Sequence, residues 1–416
     1  MKELKNWFDA MSKIGAAPDG GYYRGSYTLE ELEAYQLLSG WMEKSGLDVH
    51  KDAAGNLWGK TNGTCSGALS IVTGSHIDSV RNGGNYDGIF GVLGGLYAVK
   101  SLLKEYGEPL IPIEVVAFTG EEGSRFSIGL MGSHAVAGSL DEAAFREKTD
   151  ANGVSIADAM SEVGLDVNRV GEAVRKELGA YVEMHIEQGP VLEKAGLSIG
   201  IVDSIVGTQQ FRVTIHGEAG HAGTVPMANR KDPMVYAARA IARFPEIAKN
   251  SGDGVITVGR IWAKPDAENV IPSEVCFTVD LRHPIEAVKQ EMAAAVKAVC
   301  EEEAHPSGME ITWVPYPNNL ATDMTPELKD VLEDACKRLD YPYVRMSSGA
   351  GHDTLNMAKL GKVGMLFIPC RNGRSHCPEE YASMEDIGRG VEVLKACLYK
   401  LAYEDVLGLC NKNILD

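Results

Sequence analysis

Apolar positions in the first half of the chain follow two alternating rhythms. Leu29–Ser45 and Gly88–Tyr106 repeat them at helical spacing, the second directly after Asp87. Leu69–Gly74, Ile113–Thr119 (I-E-V-V-A-F-T) and Tyr181–Ile186 are short, mostly apolar runs that read as buried strands. Strands alternating with helices predict an α/β fold with a mainly parallel central sheet. In such sheets chemistry collects in the loops beyond the strand C-termini.

From about Gln209 the rhythm changes. Strand Gln210–His216, helix Pro233–Phe244, strands Gly254–Trp262 and Glu274–Arg282, helix Ile285–Glu303 and strand Glu310–Val314 follow in order. That order is βαββαβ, the ferredoxin-like pattern. The α/β rhythm resumes with helix Thr325–Leu339, a short strand near Val344, strand Gly364–Ile368 and helix Met384–Leu401. The expected organisation is a discontinuous domain over residues 1–208 and 324–416, with a second domain inserted at 209–323.

Size supports two domains, because 416 residues exceed what one core usually serves. A net charge of −18 argues against nucleic acid and anionic membrane as partners, since both need a basic surface. It leaves room for a small anionic substrate at a locally positive site. No run reaches the roughly twenty apolar residues of a membrane span, and the N-terminus has no apolar core of a signal peptide. The eight cysteines are scattered without a C-x-x-C pair, so they read as reduced thiols of a cytoplasmic protein.

The candidate chemistry lies at predicted strand ends. The loop G-S-H-I-D-S-V-R-N-G-G-N-Y-D-G holds His76, Asp78 and Asp87. Imidazole with carboxylate suits Zn²⁺ or Mn²⁺. Taken singly, Asp87 reads more simply as a helix cap and His76 as a loop histidine. The next strand ends in T-G-E-E-G-S-R-F, with Glu121 and Glu122. Successive side chains there point to different sides, so one glutamate can ligate a metal while the other moves protons. Y-V-E-M-H-I-E-Q-G-P then supplies His185 and Gln188, and R-S-H-C-P-E-E supplies His376. Four such loops in one sheet are a poor candidate for coincidence.

Together with H-A-G-T-V-P-M and S-G-A-G-H-D, these motifs resemble the amidase, hydantoinase/carbamoylase family, part of a clan of di-metal aminoacylases and carboxypeptidases. The likeness runs from G-G-Y-Y-R at Gly20 to the final helix. It implies a di-metal hydrolase domain and an inserted ferredoxin-like lid and dimerisation domain. The implied metal ligands are His76, Asp87, Glu122, His185 and His376, with Asp87 bridging two divalent ions. Zn²⁺ or Mn²⁺ come first, and Co²⁺ or Ni²⁺ are also compatible. Glu121 becomes the general base and Asp78 the residue that orients His76. His221, from the partner subunit of a homodimer, becomes the oxyanion donor. Asn269 and Arg282 bind the substrate carboxylate, which suits a planar guanidinium. Gln188, Gly349, His352 and Arg230 complete the candidate substrate set. Cys377 departs from the small polar residue usual after the histidine, and the expectation is a small buried thiol.

The resemblance implies hydrolysis of a ureido C–N bond in N-carbamoyl-L-amino acids, giving amino acid, CO₂ and ammonia. Allantoate and β-ureidopropionate are the alternative ureido acids. H-I-E-Q-G disfavours a dipeptidase or aminoacylase. A non-catalytic binding protein of the same fold is the remaining reading, set against by the presence of every expected ligand and of the base. Donors on the inserted domain also imply open and closed positions, with closure excluding water.

Overall fold

The structure, a computed structural model, describes residues 1–410 apart from 19, 305–307 and 317. Residues 411–416 of the predicted 324–416 segment lie outside the described residues. The strands of the first half are β1 (Asp48–Lys51), β2 (Leu57–Lys60), β3 (Ile71–His76), β4 (Ile113–Phe118), β5 (Ala180–Ile186) and β6 (Ile199–Ile205). Next come β7 (Gly207–His216), β8 (Gly220–His221), β9 (Val255–Thr257), β10 (Ile261–Lys264), β11 (Val270–Ile271), β12 (Glu274–His283), β13 (Glu310–Pro315) and β14 (Thr322–Asp323). The last two are β15 (Tyr343–Ser348) and β16 (Lys362–Ile368).

The chain forms two compact units. Of the described residues, the first comprises those within 1–203, 324–346 and 351–410, and the second those within 204–323 and 347–350. The second therefore takes residues 204–208 and a short turn that the sequence rhythm assigns to the larger domain. Within that unit the Gly349 carbonyl accepts a hydrogen bond from Arg282 at 2.8 Å.

In the first unit the sheet runs β1-β2-β4-β3-β5-β16-β6. The central strands β4, β3, β5 and β16 are mutually parallel, while β1, β2 and β6 are antiparallel to their neighbours. All residues of β3, β4 and β5 are buried, as continuous apolar strands of a covered parallel sheet require. Helices Ile89–Tyr106 and Met384–Ala402 bury Phe90, Leu93, Leu96, Leu394 and Leu398 in the same core as Ile71, Val115, Val182 and Leu366. The parallel arrangement brings the C-terminal ends of four strands to one edge.

A buried carboxyl underlies that edge. Glu31, in the first turn of helix Leu29–Lys44, accepts hydrogen bonds from the Tyr27 amide at 2.6 Å and the Thr119 hydroxyl at 2.8 Å. Burial, and then Asp78, push it up from 4.5 to about 8. A carboxyl raised on folding stabilises the fold fully below its unfolded value and loses that contribution as pH rises through the folded one. From about pH 5 to about pH 8 the wild type should lose stability that Glu31→Gln retains, read as converging or crossing thermal midpoints.

The second unit has sheet order β10-β12-β7-β13, with β9 also pairing β12. The predicted strand Gly254–Trp262 is in fact β9 and β10, separated at residues 258–260. Both pair with β12, so together they act as one interrupted edge strand of a ferredoxin-like sheet. Alternate residues Phe211, Val213, Ile215 and Val275, Phe277, Val279 meet helices Pro233–Ser251 and Glu286–Ala304 in a separate core. Gln210, Thr278, Asp280 and Arg282 occupy the alternate positions of β7 and β12, less buried than these core residues.

Candidate active site

His76 is the last residue of β3 and His185 the penultimate residue of β5, while Glu121 and Glu122 follow β4 and His376 follows β16. Asp87 reaches the same edge through the glycine-rich loop. Its Oδ1 lies 3.0 Å from His185 Nε2 and 3.9 Å from His76 Nε2. Its Oδ2 lies 3.0 Å from His376 Nε2. His376 Nε2 is 3.4 Å from Glu122 Oε1, and His76 Nε2 is 3.7 Å from Glu121 Oε2. Two ligand-like groups share Asp87: His76, Asp87 and His185, and Asp87, Glu122 and His376. A third joins His76, Glu121 and Glu122.

The supporting bonds fix which atoms face inward. His76 Nδ1 stands 3.1 Å from the Asp78 carbonyl, and His185 Nδ1 stands 2.9 Å from the Ile186 carbonyl. Each ring thus donates from Nδ1 and turns Nε2 to the centre, a tautomer inferred from the bonding. Gly88 has φ 65°, and a Cβ there would lie 2.4 Å from the His76 ring. Only glycine leaves the ring its place.

Asp78 lies against more than His76. Its carboxylate accepts the Glu121 amide at 3.1 Å and the Glu122 amide at 3.2 Å. The nearer contact to His76 is its backbone carbonyl, since Oδ1 is 3.5 Å from Nδ1. Asp78 therefore ties the Glu121–Glu122 backbone to the His76 loop.

The electrostatics follow from crowding acids and imidazoles in a buried space. Burial pushes Asp87 up, but His185, His376 and His76 outweigh it and hold the carboxyl well below its usual range. Burial and neighbouring Glu122 raise Glu121 well above the carboxylate range. Glu122 rises to about 7 through burial and then Asp87. The hydrogen bond to Asp87 lifts His376 to about 9. His352, fully buried against His185 at a ring distance of 4.5 Å, is pushed well below its ordinary value by burial.

The donor set fits divalent cations. Within each group the ligand atoms lie within 4.8 Å of one another. Imidazole nitrogens and carboxylate oxygens are the donors such ions prefer. Gln188, at a strained φ of 56°, donates Nε2 to Asp87 Oδ2 at 2.9 Å, and its buried Oε1 has no hydrogen-bond partner among the described residues. Cys377 is half-buried and hydrogen-bonds Glu379, so it is not the buried thiol expected, and it joins none of the ligand groups.

The remaining candidates lie on the second unit, apart from His352. His221 ends β8, which pairs with β11, and the Ala222 amide donates to the Asn269 carbonyl at 3.0 Å. Arg230 donates to the Ala222 carbonyl at 2.6 Å, so His221, Asn269 and Arg230 share one local structure. Arg282 is held by Asp280 through two 2.9 Å contacts and by the Gly349 carbonyl. With Gln210 and Thr278 these groups line a cavity of about 520 Å³.

Sequence reasoning passed over Arg24, Glu31 and Glu380. Arg24 is fully buried and donates to the Ile77 carbonyl at 3.0 Å, between His76 and Asp78. The motifs G-G-Y-Y-R and S-H-C-P-E-E contained two of these residues, but only their long-range partners show what they do.

The chain matches the model of peptidase family M20/M25/M40 over residues 72–400. It is 42% identical to an N-carbamoyl-L-amino acid amidohydrolase of Geobacillus stearothermophilus, over 94% of this chain and 96% of that one. It is 40% identical to an allantoate amidohydrolase of Escherichia coli (strain K12), over 95% and 96% of the two chains. Among solved structures, an amidase of the hydantoinase/carbamoylase family from Burkholderia multivorans superposes with a TM-score of 0.89 at 35% identity, covering 95% of this chain and 96% of that one. Motifs, fold and these likenesses agree, and the chain belongs to the hydantoinase/carbamoylase amidases of peptidase family M20/M25/M40.

Proposed function

We propose that the protein is a hydrolase of non-peptide C–N bonds that removes the carbamoyl group from N-carbamoyl-L-amino acids. The observation that carries this reading is Asp87 shared between two clusters of imidazole and carboxylate at one sheet edge. The likeness to an N-carbamoyl-L-amino acid amidohydrolase supports the substrate class. Allantoate is the second reading, favoured by the 40% identity to an allantoate amidohydrolase.

In this reading His76, Asp87 and His185 would hold one divalent ion, and Asp87, Glu122 and His376 would hold another. When bound, such ions would supply Lewis-acid polarisation of a carbonyl and a water made more acidic, from a pKa of about 15.7 toward about 7. Zn²⁺ or Mn²⁺ is the expected metal. Glu121 Oε2 takes a proton from the attacking water and returns it to the departing nitrogen. Asp78 keeps that carboxyl in place through the Glu121 amide. His221 donates to the developing oxyanion and Arg282, aided by Asn269, takes the substrate carboxylate. Asp280 keeps the Arg282 guanidinium aimed, at two 2.9 Å contacts. Water adds to the ureido carbon, one C–N bond breaks, and the carbamic acid that results loses CO₂ as its own C–N bond breaks, so the products are amino acid, CO₂ and ammonia. A homodimer formed through the inserted domain and a cytoplasmic location belong to the same reading. Among the described residues no helix is long and apolar enough to cross a membrane. Sedimentation equilibrium at twice the chain mass is the expected result for the dimer.

Ammonia release from a panel of N-carbamoyl-L-amino acids, their D-isomers, β-ureidopropionate and allantoate tests the substrate. Turnover confined to allantoate selects the second reading, and no turnover of any member with Zn²⁺ or Mn²⁺ supplied sinks both.

Metal uptake should release protons. His376 near 9 is protonated at neutral pH, and Glu122 near 7 is partly so. Both must deprotonate to ligate, so affinity falls as pH is lowered from about 9 to about 6. Calorimetric titration of the chelator-treated protein in two buffers of different ionisation enthalpy measures the protons released. Equal heats in both buffers would contradict the assignment.

A further inference from the structure

Glu380 closes the motif S-H-C-P-E-E, and no step above uses it. It is only 5% exposed, yet four donors converge on its carboxylate. Oε1 accepts the backbone amides of Tyr86 at 2.9 Å and Asp87 at 3.0 Å. Oε2 accepts the Ser375 hydroxyl at 2.7 Å and the His376 amide at 3.4 Å. A carboxylate has about four lone-pair positions, so this one is saturated. The donors come from two loops almost 300 residues apart in sequence, with separations of 294 and 293 between Glu380 and the first pair.

Those loops carry Asp87 and His376, whose side chains meet at 3.0 Å. The second loop is also strained at the ligand, where His376 has φ 58°. A non-glycine residue keeps such a conformation only when its surroundings overdetermine it. The Ser375 hydroxyl stands 3.2 Å from Asp87 Oδ2 as well, which adds a side-chain link between the loops. The first loop leaves room for the carboxylate, because a Cβ on Gly84 would stand 2.2 Å from Glu380 Oε1.

We propose that Glu380 is a positioning residue whose carboxylate clamps the Tyr86–Asp87 and Ser375–His376 backbones together and so sets the geometry of the Asp87, Glu122 and His376 cation site. The inference rests on the di-metal reading and adds to it a residue outside the ligand set. Glutamine has nearly the same shape but offers one oxygen to four donors and turns an NH₂ toward the others. Outer partners of metal ligands commonly contribute about 10–100-fold in metal affinity.

The test uses the full chain, treated with chelator and titrated with Co²⁺, followed by visible absorption and calorimetry. Wild type, Glu380→Gln, Gly84→Ala and His376→Ala are compared. Wild type should take up two ions. Glu380→Gln should bind the ion held with His376 about 10–100-fold more weakly, and the other, which shares Asp87 but not His376, should be weakened less. The weakened step should carry the absorption bands that His376→Ala loses. Gly84→Ala, which displaces the carboxylate without altering it, should reproduce the effect and serves alone if Glu380→Gln does not fold. The thermal midpoint of the chelated variants should stay close to wild type. Undiminished binding of both ions by both variants overturns the clamp. So does equal weakening of both sites together with a large fall in the chelated midpoint, because that marks a role in the fold alone. Failure of the wild type to bind a pair of ions removes the di-metal reading itself, and the clamp with it.

Discussion

Glu121→Gln should lower kcat by about 10²–10⁴-fold, the usual contribution of a positioned acid–base group, while both ions remain bound. The residue is well placed for this test. Its side chain is largely buried, its amide is fixed by Asp78 at 3.1 Å, and its Oε2 lies 3.7 Å from His76 Nε2. Burial and Glu122 hold the carboxyl well above the ordinary range, so once ionised it is a stronger base than an exposed glutamate. Glutamine preserves the shape and the amide contact and removes the proton traffic. Single-turnover rates together with metal content by elemental analysis separate loss of chemistry from loss of metal. A variant that keeps two ions and turns over at the wild-type rate would refute the role of Glu121 as base.

Asp87→Asn should have the larger effect on metal. Asp87 is the carboxylate common to both ligand groups and pairs with His185 and His376, each at 3.0 Å. His185→Ala should weaken one ion, whereas Asp87→Asn should weaken both. A bound ion contributes several kcal/mol of charge stabilisation in the transition state. At about 1.36 kcal/mol per decade, turnover should fall by roughly 10³-fold or more. Metal content near two ions per chain in Asp87→Asn would show that the carboxylate is not shared. The variant should stay folded when chelated, because the three imidazoles can release their protons once the anion is gone.

Much of this arrangement was legible in local sequence. I-E-V-V-A-F-T and Y-V-E-M-H-I are apolar or β-branched runs whose character depends on neighbours a few residues away, and they became β4 and β5. Helix Ile89–Tyr106 was equally plain, although its N-terminal glycine owes its place to the His76 ring. Short β1 and β2 lacked enough residues for a periodic signal and took their structure from antiparallel pairing, β1 with β2 and β2 with β4. The split of Gly254–Trp262 into β9 and β10 was hidden for a related reason. Each segment is extended, and only pairing to β12 shows where the edge breaks.

The amino-acid sequence alone determined the alternation of strand and helix, and the chemistry presented at each strand end. Hydrophobic periodicity and side-chain type are properties of a residue and its nearest neighbours. What tertiary structure alone decided is which atoms meet: that Asp87 is shared by two clusters, that Asp78 spends its carboxylate on the amides of Glu121 and Glu122, and that Glu380 joins two loops almost 300 residues apart. Hydrogen bonds act over about 3 Å, and contact at that range between distant segments is fixed by parallel strand pairing and core packing, not by separation along the chain.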